Sequence, residues 1–221
     1  MGNVNKEQIK ANAEKRKREG YTPVVPDLQL GFIHNNVDCI GCRACEIACK
    51  DKNGLPAGPR FRRVQYVEGG SYPEVFAFKI NMSCNHCAEP ACLPACPTGA
   101  IYKHKENGVV DIDSTLCIGC RKCEAACPFG APQFNVELNI VQKCNMCIDE
   151  LDAGRKPYCV SACMMRVLDI GPIDQIDAGS FETKAVGPNE ELVRQVKSMA
   201  NPELTNPSIR FVPHSKGRVD E

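Results

Sequence analysis

Apolar positions along this chain come in short bursts rather than in long periodic stretches. Residues 75–80 alternate and are rich in Val and Phe, residues 109–112 follow an Asn107-Gly108 turn signal, and residues 138–141 follow Asn135. Each burst predicts a short β-strand. Residues 50–83 carry Pro56, Pro59 and the Gly69-Gly70 pair, which predicts surface loop around one hairpin. Near the N-terminus, Asn5 caps a predicted helix over residues 6–19, with Gln8 in the first turn and Gly20 as its stop. That helix holds six basic and three acidic residues, a net +3, and reads as a solvated face or as an arm that docks on a partner. From residue 171 onward there is little periodicity, and Pro172, Pro188, Pro202, Pro207 and Pro213 interrupt the sequence. This predicts a tail too poor in core residues to fold alone, which wraps a partner or lacks order.

No stretch reaches the roughly 18 to 20 apolar residues of a membrane span. The longest apolar run near the N-terminus is broken by Pro26, Asp27 and Gln29. The basic run Lys15-Arg16-Lys17-Arg18 is followed by polar, proline-broken sequence, so no export signal is expected.

Composition narrows the choice. The chain has 221 residues, enough for one large or two small domains. Lys+Arg and Asp+Glu are both 27, for a formal net charge of zero, which argues against a nucleic-acid binder built on basic excess. There is no Trp, only 8 Phe and 5 Tyr, while Gly and Pro together number 33. Such a sequence forms a thin apolar core for its length, so something else must help hold it together. The sixteen cysteines are the candidate.

They fall into four groups of four: Cys39, Cys42, Cys45, Cys49; Cys84, Cys87, Cys92, Cys96; Cys117, Cys120, Cys123, Cys127; and Cys144, Cys147, Cys159, Cys163. Disulfides would need an oxidising compartment, and crowded C-x2-C-x2-C runs suit several separate bridges poorly. Zinc knuckles use C-x2-C pairs but do not call for a third cysteine at x2 or a fourth at x3 followed by proline. The [4Fe-4S] cubane has the signature C-x2-C-x2-C-x3-C-P, and Cys117 to Pro128 match it in full. Three thiolates two residues apart let a short loop wrap three corners of a cube, with Gly41 and Gly119 allowing close approach of the backbone. The last cysteine, about one helical turn on, usually serves the other cluster of a pair. Pro97 and Pro128 are read as stops of the short helices that carry it. Groups one and four lack the proline, and residues 148–158 must loop out between Cys147 and Cys159.

The pattern repeats. Residues 39–49 and 117–127 differ only at Ala44/Lys122 and Ile47/Ala125, and CNHC at 84–87 answers CNMC at 144–147. The predicted fold is therefore α+β: duplicated bacterial ferredoxin-like units of two [4Fe-4S] clusters each, with loop-rich insertions and an extended C-terminal tail. The predicted organisation is a basic N-terminal arm over 1–27, a four-cluster core over 28–175 and the tail over 176–221.

With these residues in view, the chain resembles the four-cluster iron–sulfur electron-transfer (B) subunit of the DMSO reductase type, in the complex iron–sulfur molybdoenzymes. The resemblance covers about residues 30–175. It rests on the cysteine groups and on CRACEIACKD, FRRVQYVEGG, SCNHCAEPAC, CPTGAI, CIGCRKCEAACPFGAPQFN and RVLDIGPID, with NPSIRFVP near the end. It implies crossed fourth ligands: Cys39, Cys42, Cys45 with Cys163 (cluster 1); Cys144, Cys147, Cys159 with Cys49 (cluster 2); Cys84, Cys87, Cys92 with Cys127 (cluster 3); and Cys117, Cys120, Cys123 with Cys96 (cluster 4). In nitrate-reductase-like members a tryptophan matches Cys120 and that site holds a three-iron cluster; here the cysteine implies a full cubane.

The resemblance further implies a non-catalytic subunit that relays electrons between a quinol-oxidising integral membrane anchor and a molybdopterin-containing catalytic subunit. It would be membrane-associated through those partners alone, on the extracytoplasmic face if exported with the catalytic subunit, otherwise on the cytoplasmic face. The competing reading is a soluble polyferredoxin shuttling electrons among several enzymes. No P-loop or G-x-G-x-x-G is present, and His34, His86, His104 and His214 are scattered, so no substrate-processing site is expected. His86 reads as a neighbour of the ligands or a surface residue, not as a ligand. Four oxidised cubanes would add about −8 to the formal charge. Arg43, Arg121, Lys122 and Lys143, beside the cysteines, are candidates to favour the reduced state.

Overall fold

The computed structural model describes residues 26–219. The helix expected over residues 6–19 and nearly all of the N-terminal arm lie outside the described residues. A three-stranded sheet forms one side of the core, in the order β8 (Leu168–Pro172), β1 (Leu30–Asn35), β9 (Ile209–Val212). β1 runs antiparallel to β8, with Phe32 opposite Ile170, and parallel to β9, with His34 opposite Phe211. From Gly31 to Asn35 every residue of β1 is buried, as expected of a central strand covered on both faces.

A long hairpin, β2 (Arg63–Ser71) and β3 (Glu74–Met82), packs its base against this sheet. Val64, Phe78, Ile80 and Met82 at the base are buried, whereas Tyr72 and Val75 at the tip are exposed. The segment 50–83 is thus more than the surface loop expected: it supplies core residues, and Gly69-Gly70 lie inside β2 rather than in the turn. Two miniature hairpins complete the sheet content. They are β4 (Ile101–Lys103) with β5 (Val110–Ile112), and β6 (Gln133–Asn135) with β7 (Ile140–Gln142). Gly108, at φ +69°, makes the turn between β4 and β5 that the Asn-Gly pair predicted.

The helices are short: α1 (Ala44–Lys52), α2 (Lys122–Ala126), α3 (Ile148–Asp152), α4 (Tyr158–Ser161) and α5 (Ile173–Asp177). α1 packs on α4, which brings the first cysteine group to the last. Two expectations change here. The insert at 148–158 carries α3 rather than looping out bare, and the segment before Pro97 is a series of turns, so that proline stops no α-helix.

The C-terminal segment also departs from expectation, because it packs on the rest of the molecule. Val193 and Phe211 exchange backbone hydrogen bonds at 2.8 and 2.9 Å. Val196, Ile209 and Phe211 are fully buried. Ala88 N–H donates to Asn206 at 2.8 Å, Glu89 N–H to Thr205 at 3.1 Å and Ser208 N–H to Asn85 at 2.9 Å, so the segment straps the second cysteine group. Its prolines end regular structure without preventing this, since each of these bonds uses a non-proline amide or a carbonyl.

Candidate metal centre

All sixteen cysteines are free of disulfides. Three small cavities each have four cysteines in their walls. The first is lined by Cys84, Cys87, Cys92 and Cys127, the second by Cys39, Cys42, Cys45 and Cys163, and the third by Cys96, Cys117, Cys120 and Cys123. The remaining four, Cys49, Cys144, Cys147 and Cys159, are all buried, and Cys49, Cys144 and Cys159 share one core cluster. Burial is the main cause that raises Cys49 and Cys144; Cys159 and Cys147 add to the first shift, and Cys49 and Cys159 to the second. With these sets numbered as clusters 1 to 4 above, α1 carries Cys45 of the first set and Cys49 of the second, and α4 carries Cys159 of the second, with Cys163 of the first just past its end. Cys84 of the third set shares a buried core cluster with Cys144 of the second. The third and fourth sets share the turn that bears Cys92 and Cys96 and the α2 segment that bears Cys123 and Cys127. The sets therefore follow one another one–two–three–four. Cys42 of the first set and Cys120 of the fourth are exposed; every cysteine of the second set is buried.

The local backbone explains how the loops turn. Gly41 and Gly119 have φ +72° and +68°, a region that favours glycine. Arg43 and Arg121 each take a left-handed conformation at the N-cap of their helices. Each guanidinium lies over a ring, Tyr66 at 5.5 Å and Phe134 at 5.3 Å, and pairs with an acid three residues on, Glu46 or Glu124. In the CNHC and CNMC turns His86 and Met146 are both fully buried with positive φ.

Burial raises the thiols: Cys45 and Cys123 up to about 11, Cys49 and Cys87 up to about 12. Bare thiolates are disfavoured in such surroundings unless cations or donors answer them. Several N–H groups do. Asn81 Nδ2 donates to Cys45 Sγ at 3.1 Å, Met146 N to Cys144 Sγ at 3.3 Å, Val141 N to Cys117 Sγ at 3.4 Å and Ala131 N to Cys127 Sγ at 3.5 Å. Four soft donors around one cavity, with amides aimed at sulfur, suit a cubane cluster. Among the described residues no three such side chains converge tightly enough for a single ion.

Of the four cations singled out in the sequence, Arg43, Arg121 and Lys122 are exposed and only Lys143 is buried. Lys143 donates to the carbonyls of Val110 and Cys144. Burial opposes its charge, but Cys84, Asp111, Cys92 and Cys144 outweigh that and hold its pKa above the ordinary value. Sequence reading missed Arg62, which is 1% exposed. Its one visible signal is its place beside buried Phe61 and Val64 in FRRVQYVEGG. His86 is not at the surface: it is fully buried, and its Nδ1 accepts from Val110 N–H at 3.0 Å. Burial, with Lys143, Arg62 and Lys103 nearby, keeps it neutral.

These features define an iron–sulfur protein of the ferredoxin type, with helices and strands mixed. Residues 75–173 match the 4Fe-4S dicluster domain family. Over 198 residues the sequence is 39% identical to the B subunit of the anaerobic dimethyl sulfoxide reductase of Escherichia coli (strain K12), covering 86% of this chain and 91% of that protein. It is 33% identical over 217 residues to the B subunit of the sulfite dehydrogenase of Allochromatium vinosum, covering 86% and 85% of the two proteins. It is 41% identical over 153 residues to the thiosulfate reductase electron transfer subunit PhsB of Salmonella typhi, covering 66% and 78%. The protein belongs to the family of iron–sulfur B subunits of the DMSO reductase type. Among the described residues no helix is long and apolar enough to cross a membrane.

Proposed function

We propose that this protein is the electron-transfer subunit of a reductase complex, relaying electrons through four [4Fe-4S] clusters between a quinol-oxidising membrane anchor and a molybdopterin-containing catalytic subunit. The observation that carries this reading is the serial arrangement of four cysteine sets with an exposed cysteine at each end, Cys42 and Cys120. In this reading Cys39, Cys42, Cys45 and Cys163 hold the first cluster, and Cys49, Cys144, Cys147 and Cys159 the second. Cys84, Cys87, Cys92 and Cys127 hold the third, and Cys96, Cys117, Cys120 and Cys123 the fourth. When bound, each cubane supplies a one-electron carrier. The protein keeps the inner sets dry, aims amides at their sulfurs, and leaves the two end sets near the surface where partners dock.

The near-identity of 39–49 and 117–127, with the matched conformations of Arg43 and Arg121, supports a duplicated two-cluster unit. We take 28–175 as the four-cluster core, with 1–27 as an arm and 176–221 as a strap. The relatives' names support a complex whose substrate is a sulfoxide or a sulfur oxyanion. The complex sits at the membrane in this reading, and export folded with a signal-bearing catalytic subunit would place it on the extracytoplasmic face. Iron and sulfide analysis of anaerobically purified protein should give about sixteen of each per chain; a value near twelve overturns the four-cubane reading. Affinity purification from native membranes should bring down a large molybdenum-containing protein, whereas a polyferredoxin shuttle would come alone.

A further inference from the structure

A buried arginine normally has a carboxylate partner, because an isolated charge in the interior is very costly. Arg62 has none among the described residues. Its Nη1 donates to Asn81 Oδ1 and its Nη2 to Ser83 Oγ, both at 3.0 Å, and its guanidinium lies 4.3 Å over the Phe32 ring. All three partners are neutral, and Nε has no partner. Phe32, under the guanidinium, shares one buried core with cysteines of two different sets, Cys45 of the first and Cys49, Cys144 and Cys159 of the second. Burial opposes the charge of Arg62, and these four sulfurs are the groups that favour it. Asn81 ties the two together, accepting from Arg62 and donating to Cys45 Sγ.

We propose that Arg62 is the shared counter-ion of the first and second cysteine sets and sets the reduction potentials of the clusters they hold. This rests on the ligand sets proposed above. A reduced cluster carries one more negative charge than an oxidised one, so a fixed cation beside it favours reduction. In a water-poor interior that influence is far stronger than for the exposed Arg43 or Arg121, whose charges are screened. Because Arg62 faces both sets, it raises two neighbouring potentials together. The carbonyl-held Lys143, facing Cys84, Cys92 and Cys144, would act likewise at the junction of the second and third sets.

The test is an EPR-monitored redox titration of the full protein, comparing wild type, Arg62→Gln and Arg62→Lys, with iron counted in each. In Arg62→Gln, with four clusters retained, two of the four midpoint potentials should fall by at least the equivalent of tenfold in the reduction equilibrium, about 59 mV for one electron, and the other two should hold. Arg62→Lys keeps the charge but not the fork to Asn81 and Ser83; its potentials should stay within that tenfold of wild type. If all four potentials stay put in Arg62→Gln, or all four move together, the inference is overturned. Should Arg62→Gln fail to assemble, Arg62→Lys decides: unchanged potentials support the role of charge, and potentials displaced by tenfold or more overturn it. A wild type with fewer than four clusters would instead overturn the ligand sets themselves.

Discussion

The Tyr66 hydroxyl donates to the carbonyl of Gly41 across 2.6 Å, pinning the first C-I-G-C loop to the long hairpin. Gly41 has φ +72°, and a Cβ built there would lie 2.5 Å from the Tyr66 hydroxyl oxygen. Glycine is thus required twice, for its backbone conformation and for the close approach. Gly41→Ala should cost about 1–3 kcal/mol in stability and loosen Cys39 and Cys42. Iron analysis should show a loss of about four irons, and thermal unfolding a lower midpoint. Full iron content with an unchanged midpoint would show that the loop does not depend on this packing.

His34 gives a pH dependence with a definite sign. It is fully buried in β1, opposite Leu168 of β8 and Phe211 of β9, and its Nδ1 meets Asn36 Oδ1 at 2.7 Å. Burial is the main cause that lowers its pKa to about 3; Asn36 opposes the shift, and the Arg62 charge adds to it. The unfolded state takes up this proton below about pH 6.5 while the folded state does not. The stability is therefore complete above that ordinary histidine pKa and is lost progressively down to about pH 3. By about pH 4.5 the loss from this residue should be about 2–3 kcal/mol. Melting curves of the cluster-loaded protein from about pH 7 to 4.5 should fall more steeply for wild type than for His34→Gln. Parallel pH profiles would mean that His34 already shares its proton with solvent.

The chemistry was more legible in the sequence than the architecture, for a physical reason. The reading of Cys117, Cys120 and Cys123 as ligands of one cluster rests on short, regular offsets, and such spacing is visible in a string of letters. β9 is only four residues, Ile209–Val212, and its partner β1 lies some 170 residues earlier. Local periodicity cannot see a parallel pairing at that separation, so the proline-rich segment read as a loose tail. Arg62 was hidden for a related reason. Arg60, Arg62 and Arg63 crowd one short stretch, and only the packing of Phe32, Asn81 and Ser83 decides which of them is enclosed. The left-handed Arg43 and Arg121 likewise follow from loop closure, not from any propensity of arginine.

Cys120 provides the sharpest test of the fourth set. It lies beside Cys96, Cys117 and Cys123 in the wall of one cavity and is exposed, so a larger residue there meets solvent rather than a packed core. As a proposed ligand, Cys120 would anchor one iron, and removing its thiolate would leave the other three held. Cys120→Trp should therefore lower the iron content by about one per molecule and leave a [3Fe-4S] cluster at this site alone. A three-iron cluster has a higher potential than the cubane it replaces, so electrons arriving at this end would be trapped there and quinol-driven turnover should fall. EPR of the oxidised variant should show a three-iron signal that wild type lacks. A wild type that already shows this signal, or a variant that keeps all its cubanes, would mean that Cys120 is not a ligand. The pairing of Cys96 with the Cys117 to Cys123 loop would then have to be redrawn.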